Sequence, residues 1–229
     1  MEISSRVQTI RARIDAASAA AGRPAGSVEL LPVSKTRPAS SVLAAYAAGC
    51  RRFGENKAQE AQAKALELAA TPDLEWVMVG HLQSNKAKLV AEFASEFQSL
   101  DSLPLAAELD RRLQARGRQL DVLIQVNSSA EDSKFGFPPD EVAAFASALA
   151  PFDALRVRGL MTLALPSPDD AKVAACFDRV QNVQRDLRDK AIPGQSYDEL
   201  SMGMSGDFEL AIAHGATVVR IGTAIFGPL

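Results

Sequence analysis

Eight short apolar runs, each followed by a longer stretch of helical character, constrain this chain of 229 residues more than any other feature. The runs are VELLPVSK, CRRFGEN, LEWVMVG, EFQSL, LDVLIQVN, LRVRGLMTLA, DELSMG and TVVRIG. Between them lie predicted helices with recognisable stops. They are Ser40 to Ala48 before Gly49, Lys57 to Ala70 before Pro72, Pro104 to Arg116 before Gly117, and Asp140 to Ala150 before Pro151. Asp169 to Lys190 and Gly206 to His214 complete the set. Strands that each lead through a helix to the next strand imply a parallel sheet. Eight of them predict a closed (β/α)8 TIM barrel, a fold of roughly 250 residues, with a doubly wound open sheet as the alternative. Ile3, Val7, Ile10 and Ile14 recur on one helical face before the first strand, which predicts an extra N-terminal helix ending near Gly22 and Pro24. No linker or repeat divides the chain. Residues 1–229 are therefore expected to form a single barrel domain, with 1–22 packed on it as a helix.

Composition excludes several classes of function. A net charge of -3 gives no basic field for a phosphate backbone, and the Arg51-Arg52 and Arg111-Arg112 pairs lack interleaved aromatics, so nucleic acid is not an expected partner. Cys50 and Cys176 are isolated in sequence, which leaves no CxxC redox or zinc pattern. No window suggests a membrane span, and the first residues carry Arg6, Arg11 and Arg13 where a signal peptide has an apolar core. A cytoplasmic protein is expected.

In a barrel, active sites lie at the C-terminal ends of the strands. Here those ends read Lys35, Glu55-Asn56, Gly80-His81, Asp101, Asn127, Met161-Thr162, Ser201-Met202 and Arg220 to Gly222. Taken alone, Lys35 is an ordinary solvated lysine, Ser205 an N-cap and Gly222 a turn glycine. Converging on one mouth, they form a more specific pattern. Ser205 and Gly206 fall at a predicted helix start, whose free N–H groups suit a phosphate, and Gly222 and Thr223 follow the eighth strand, where barrel phosphate sites are common. Arg220 lies between Val219 and Ile221 and either points inward or makes an outward salt bridge. If it points inward, a lysine amine, a phosphate cradle and an arginine together fit pyridoxal 5'-phosphate, whose ring nitrogen a permanently protonated guanidinium would keep unprotonated. Burial would lower the pKa of Lys35 toward neutrality and supply the free amine that an aldehyde requires.

The segments VSKT, FGEN, GHLQSNK, SLDS, QVN, GLMT and SMGMSGDFELAIAHGATVVRIGTAIFG resemble the pyridoxal phosphate homeostasis protein family, related in architecture to the N-terminal domain of alanine racemase. The resemblance runs from about residue 28 to 227. It implies an internal aldimine on Lys35, a phosphate held by Ser205, Gly206, Gly222 and Thr223, and Arg220 facing the pyridine nitrogen. Asn56, Ser201 and Met202 are carried over as pocket lining. Two departures are Val77, where family members often have histidine, and the terminus FGPL, where they often have a basic residue. His81, Lys86 and Lys88 read as a helix start with a solvated face rather than as guards of the mouth, and His214 as a helix end.

The resemblance implies a holder of pyridoxal phosphate that acts in its homeostasis and delivery to pyridoxal-phosphate-dependent recipient enzymes. The chain is expected to be a monomer, with a dimer as the alternative. An amino-acid racemase is the competing reading, and a Schiff-base aldolase a more distant one. Racemisation needs a second acid or base on the far face of the substrate, and Tyr46 and Tyr197 fall where structural roles are expected.

Overall fold

In a computed structural model, which describes residues 2–129, 131 and 135–228, all eight predicted runs are strands. They are β1 (Glu29–Pro32), β2 (Arg52–Glu55), β3 (Glu75–Met78), β4 (Glu96–Leu100), β5 (Leu120–Val126), β6 (Leu155–Thr162), β7 (Glu199–Ser201) and β8 (Val218–Ile221). Every neighbouring pair is parallel, in the order β1-β8-β7-β6-β5-β4-β3-β2. A bridge between Val33 and Gly54 brings β1 beside β2 and completes a (β/α)8 TIM barrel rather than an open sheet. The helices are α1 (Ile3–Ala20), α2 (Ala39–Ala47), α3 (Ala58–Glu67), α4 (Ala87–Phe93), α5 (Leu103–Gln114), α6 (Val142–Ala148), α7 (Asp170–Lys190), α8 (Phe208–Ala213) and α9 (Thr223–Phe226). The predicted N-terminal helix is α1, which packs on α2, α8 and α9 through buried Val7, Ile10 and Ile14. α4 begins at Ala87, in the segment around Lys86 and Lys88 where a helix start was expected, whereas the four-residue α9 was not anticipated.

Most of the apolar core lies between the strands and the surrounding helices. Inside the barrel a smaller cluster joins Leu31, Val77 and Val218, with Val79 packed against it. Side chains alternate across a strand, so Val218 shares its inward face with Arg220 and Gly222, and Leu31 shares its face with Val33 and Lys35. Val77 is completely buried in that interior cluster. Its difference from the usual family residue therefore bears on packing and leaves the outer surface untouched.

Beside this cluster the barrel interior is polar. Arg220 Nη1 donates to Ser201 Oγ (2.7 Å), Ser201 Oγ donates to Gln98 Oε1 (2.6 Å), and Gln98 Nε2 donates to Glu96 Oε1 (2.6 Å). Glu96 pairs with Arg52, which also pairs with Glu29 near the N-terminal end of the barrel. A continuous chain of polar contacts, buried from Arg220 to Glu96 and reaching solvent at Glu29, thus links the two ends of the barrel. Satisfying each member in this way avoids most of the cost of burying polar groups.

Burial pushes the Glu96 carboxyl up to about 7 from an ordinary 4.5, outweighing the opposing charge of Arg52. A carboxyl raised in the fold holds a proton that the unfolded chain has already lost, so Glu96 makes stability fall as pH rises from about 4.5 to about 7. Denaturant unfolding across that window should show this slope flattened in Glu96→Gln. An unchanged slope would assign the pH dependence to other groups.

Candidate binding site at the barrel mouth

A cavity of about 390 Å³ opens at the C-terminal ends of the strands. Seven of the nine residues expected at the site line it: Lys35, Asn56, Ser205, Gly206, Arg220, Gly222 and Thr223. They come from loops after β1, β2 and β7 and from β8 with the turn that follows it, which is the convergence that a barrel imposes on strand ends. Small-molecule sites occupy roughly 300–1,000 Å³, so the cavity suits a compact ligand. Its walls also include Val33, Arg37, Val79, Leu163, Met204 and Phe226, none of which sequence reasoning named. Val33 was discoverable by alternation, lying two positions before Lys35 on the same strand face. Phe226 follows from α9, which the sequence pattern did not reveal.

Ser201 and Met202 are not in the wall. Ser201 lies beneath it and accepts a hydrogen bond from Arg220, while Met202 is completely buried in the outer core. Arg220 points inward, as one of the two sequence readings required. Its Nη2 also donates to the Thr162 carbonyl (2.6 Å), which fixes the guanidinium plane from below. Burial lowers its pKa to about 10, with the charge of Asp207 opposing the shift, so it remains protonated at neutral pH.

The expected anion cradle is present, with a change of detail. Gly206 was expected to begin a helix, yet α8 starts at Phe208, because Asp207 Oδ1 turns back to accept the Met204 N–H at 2.6 Å. Ser205 and Gly206 occupy that turn. Among the described residues no acceptor takes the N–H groups of Ser205, Gly206, Gly222 or Thr223. Donors left open at a cavity wall are what an anion needs. A methyl group on Gly206 would meet nothing within 4 Å, whereas one on Gly222 would come 3.3 Å from the Val33 carbonyl oxygen. Glycine at 222 therefore lets β8 pass close to the end of β1.

Lys35 is exposed rather than buried. The burial expected of it is therefore not found. Among the described residues, the only charged side chains in the wall are Lys35, Arg37 and Arg220, all cationic. Arg37 is partly occupied, donating through Nη2 to the carbonyls of Gly227 (2.7 Å) and Pro228 (2.8 Å).

The other singled-out residues lie outside the wall. His81 bonds to Asp101 (3.0 Å) and stacks on Phe135, while Lys86 and Lys88 occupy the turn and helix start that lead into α4. His214 ends α8 and bonds Asp178 (2.6 Å). Tyr46 bonds Asp73, and Tyr197 is buried, with its hydroxyl pKa pushed up to about 12.

Comparison with known proteins agrees with this geometry. The profile described as alanine racemase, N-terminal domain matches residues 6–229. A pyridoxal phosphate homeostasis protein of Pseudomonas aeruginosa is 44% identical over 225 residues, covering 98% of this chain and 95% of its own. The chain belongs to the pyridoxal phosphate homeostasis protein family. PipY of Synechococcus elongatus has been solved with PLP bound, and it superposes with a TM-score of 0.86 at 37% identity, over 99% of this chain and all of its own. An alanine racemase of Clostridium difficile shares the fold alone, at 14% identity and a TM-score of 0.69 over 89% of this chain and 53% of its own. The family motifs VSKT, SMGMSGD and VVRIGT thus occupy adjoining parts of one cavity wall.

Proposed function

We propose that this chain holds pyridoxal 5'-phosphate at the barrel mouth, tethered to Lys35, and serves intracellular homeostasis and delivery of that cofactor without robust catalysis. The observation that carries the reading is the cavity wall itself. It joins one lysine, four open backbone donors and an inward-facing buried arginine around a space of suitable size. Ser205, Gly206, Gly222 and Thr223 take the phosphate, with Arg37 and Lys35 adding positive charge nearby. Arg220, held by Ser201 and the Thr162 carbonyl, presents its remaining N–H groups to the ring nitrogen and keeps that nitrogen an acceptor. Asn56 lines the wall beside Lys35, while Ser201 acts through Arg220 and Met202 supports the loop from the core. When bound, the cofactor supplies an aldehyde carbon that condenses with the lysine amine, with loss of water.

Two features favour a holder over a racemase or an aldolase. An arginine opposite the ring nitrogen weakens the ring as an electron sink. The described wall also carries no carboxylate, imidazole, phenol or thiol to act as the second acid or base. The relatives' shared name and the bound PLP of PipY support the cofactor assignment. The whole chain acts as one binding unit, working in the cytoplasm as a monomer with recipient enzymes as partners. No helix among the described residues is long and apolar enough to cross a membrane.

Purified protein mixed with pyridoxal phosphate and then freed of unbound cofactor by desalting should stay yellow, with the absorbance of an imine. Incubated with single L-amino acids, the loaded protein should form no D-isomer in repeated turnovers. Desalted protein without that absorbance would sink the cofactor reading, and sustained D-isomer formation would convert the holder into a racemase.

A further inference from the structure

We propose that Lys64, Glu55 and Glu60 form a buried clamp that aims Lys35 into the cavity by fixing the backbone on both sides of it. The inference rests on the cofactor reading above. The Lys35 side chain makes no hydrogen bond or ion pair among the described residues, so its direction is set by the backbone that carries it. That backbone is held from both directions. On one side, Lys64 Nζ donates to the Ser34 carbonyl (2.8 Å), and Ser34 Oγ donates to Glu55 Oε1 (2.6 Å). On the other, the Thr36 N–H donates to Glu60 Oε1.

Lys64 ties these two grips together. Its ammonium also pairs with Glu55 (2.6 Å) and Glu60 (3.1 Å), so all three of its donors are spent within the clamp. Its side chain is 7% exposed and that of Glu55 is not exposed at all.

Two observations point to positioning rather than simple stabilisation. Thr36 has a φ of 61°, a left-handed conformation that a β-branched residue adopts only when its surroundings impose it. The imposed turn directly follows Lys35. Further, Glu55 Oε2 is buried with no partner, a costly arrangement for an ion pair whose net contribution to stability is small in any case. The clamp therefore accepts an energetic penalty at the one turn where the direction of a side chain matters.

The test separates aiming from binding. Glu60→Ala removes the grip on Thr36 at a side chain that is 26% exposed, and Lys64→Met removes the link between the two grips. If Lys64→Met does not fold because Glu55 is left charged, Lys64→Met/Glu55→Gln is measured in its place. Each variant is mixed with saturating pyridoxal phosphate, and both the rate at which the aldehyde absorbance shifts to that of the imine, taken as colour formation, and the borohydride-fixed label on Lys35 are followed. In parallel, calorimetry measures binding of 4'-deoxypyridoxine 5'-phosphate, which has a methyl group in place of the aldehyde and forms no bond to lysine. Colour formation should slow about tenfold, while affinity for the analogue stays within about twofold, because misdirection affects the reacting atoms alone. Equal rates in all proteins would overturn the aiming role. So would a parallel loss of analogue affinity, which marks a collapsed site. Absence of colour in the unsubstituted protein would instead overturn the cofactor reading and the clamp with it.

Discussion

Lys35→Ala protein mixed with pyridoxal phosphate should show no imine absorbance and take up no borohydride-fixed label, losing the entire covalent signal that the parent gives. Lys35 is the only lysine among the described residues of the cavity wall. Lys64, on α3, is no substitute, since its ammonium is fully engaged with Ser34, Glu55 and Glu60. The open donors of Ser205, Gly206, Gly222 and Thr223 remain, so the variant should still bind the cofactor, about a hundredfold more weakly, or ~2.7 kcal/mol. Because Lys35 is exposed, its thermal midpoint should stay near that of the parent. Mass mapping of the reduced parent protein checks the assignment directly. A label on Lys57 or Lys86 would refute it.

Gly159→Ala should destabilise the barrel by about 3 kcal/mol or more, since overpacking against backbone has no cheap relaxation. A methyl group at this position would lie 1.9 Å from the Glu199 carbonyl oxygen and 2.6 Å from its carbon. Those atoms belong to β7, which pairs there with β6. A side chain could swing away, but β7 can yield only by loosening its ladder with β6 or β8. For a chain of this size the melting temperature should fall by about 10 °C. Ser201, which backs Arg220, lies on the same strand, so Gly159→Ala should also weaken cofactor binding. A variant as stable as the parent would show that β6 and β7 do not approach this closely.

The barrel and most of the cavity were legible in the sequence for definable reasons. Each strand is an apolar run with a polar end, and the fold sends those ends to one place. Lys35, Arg220 and the glycine-rich turns could be read as neighbours before any coordinates, because strand alternation and loop position locate them. Ser201 shows the limit of that reasoning. Its strand end was correctly identified, but whether it meets a ligand or supports a neighbouring side chain depends on its depth in the barrel. The start of α8 was placed too early because Ser205 reads as an N-cap, whereas Asp207 holds that position and its side chain bonds back to Met204. Lys64 was invisible for a different reason. On a helix rich in alanine and glutamine it reads as solvated, and only its spacing from Ala58 and Ala61 on the buried face signals otherwise.

The meeting of β1 with β2 has a mechanical consequence for the site. β1 pairs with β8 at four positions, whereas it meets β2 at the single Val33 and Gly54 bridge. The wall of the cavity is thus shared between two blocks. One block carries Lys35, Arg220, Gly222 and Thr223 on strands zipped together along their length. The other carries Asn56 and Val79, and is joined to the first by that bridge, by the Ser34 N–H bond to the Gly54 carbonyl (2.9 Å) and by the Lys64 and Glu55 contacts with Ser34. The strand that carries Asn56 is thereby fastened to the turn that carries Lys35, so the two cannot part unless the clamp opens.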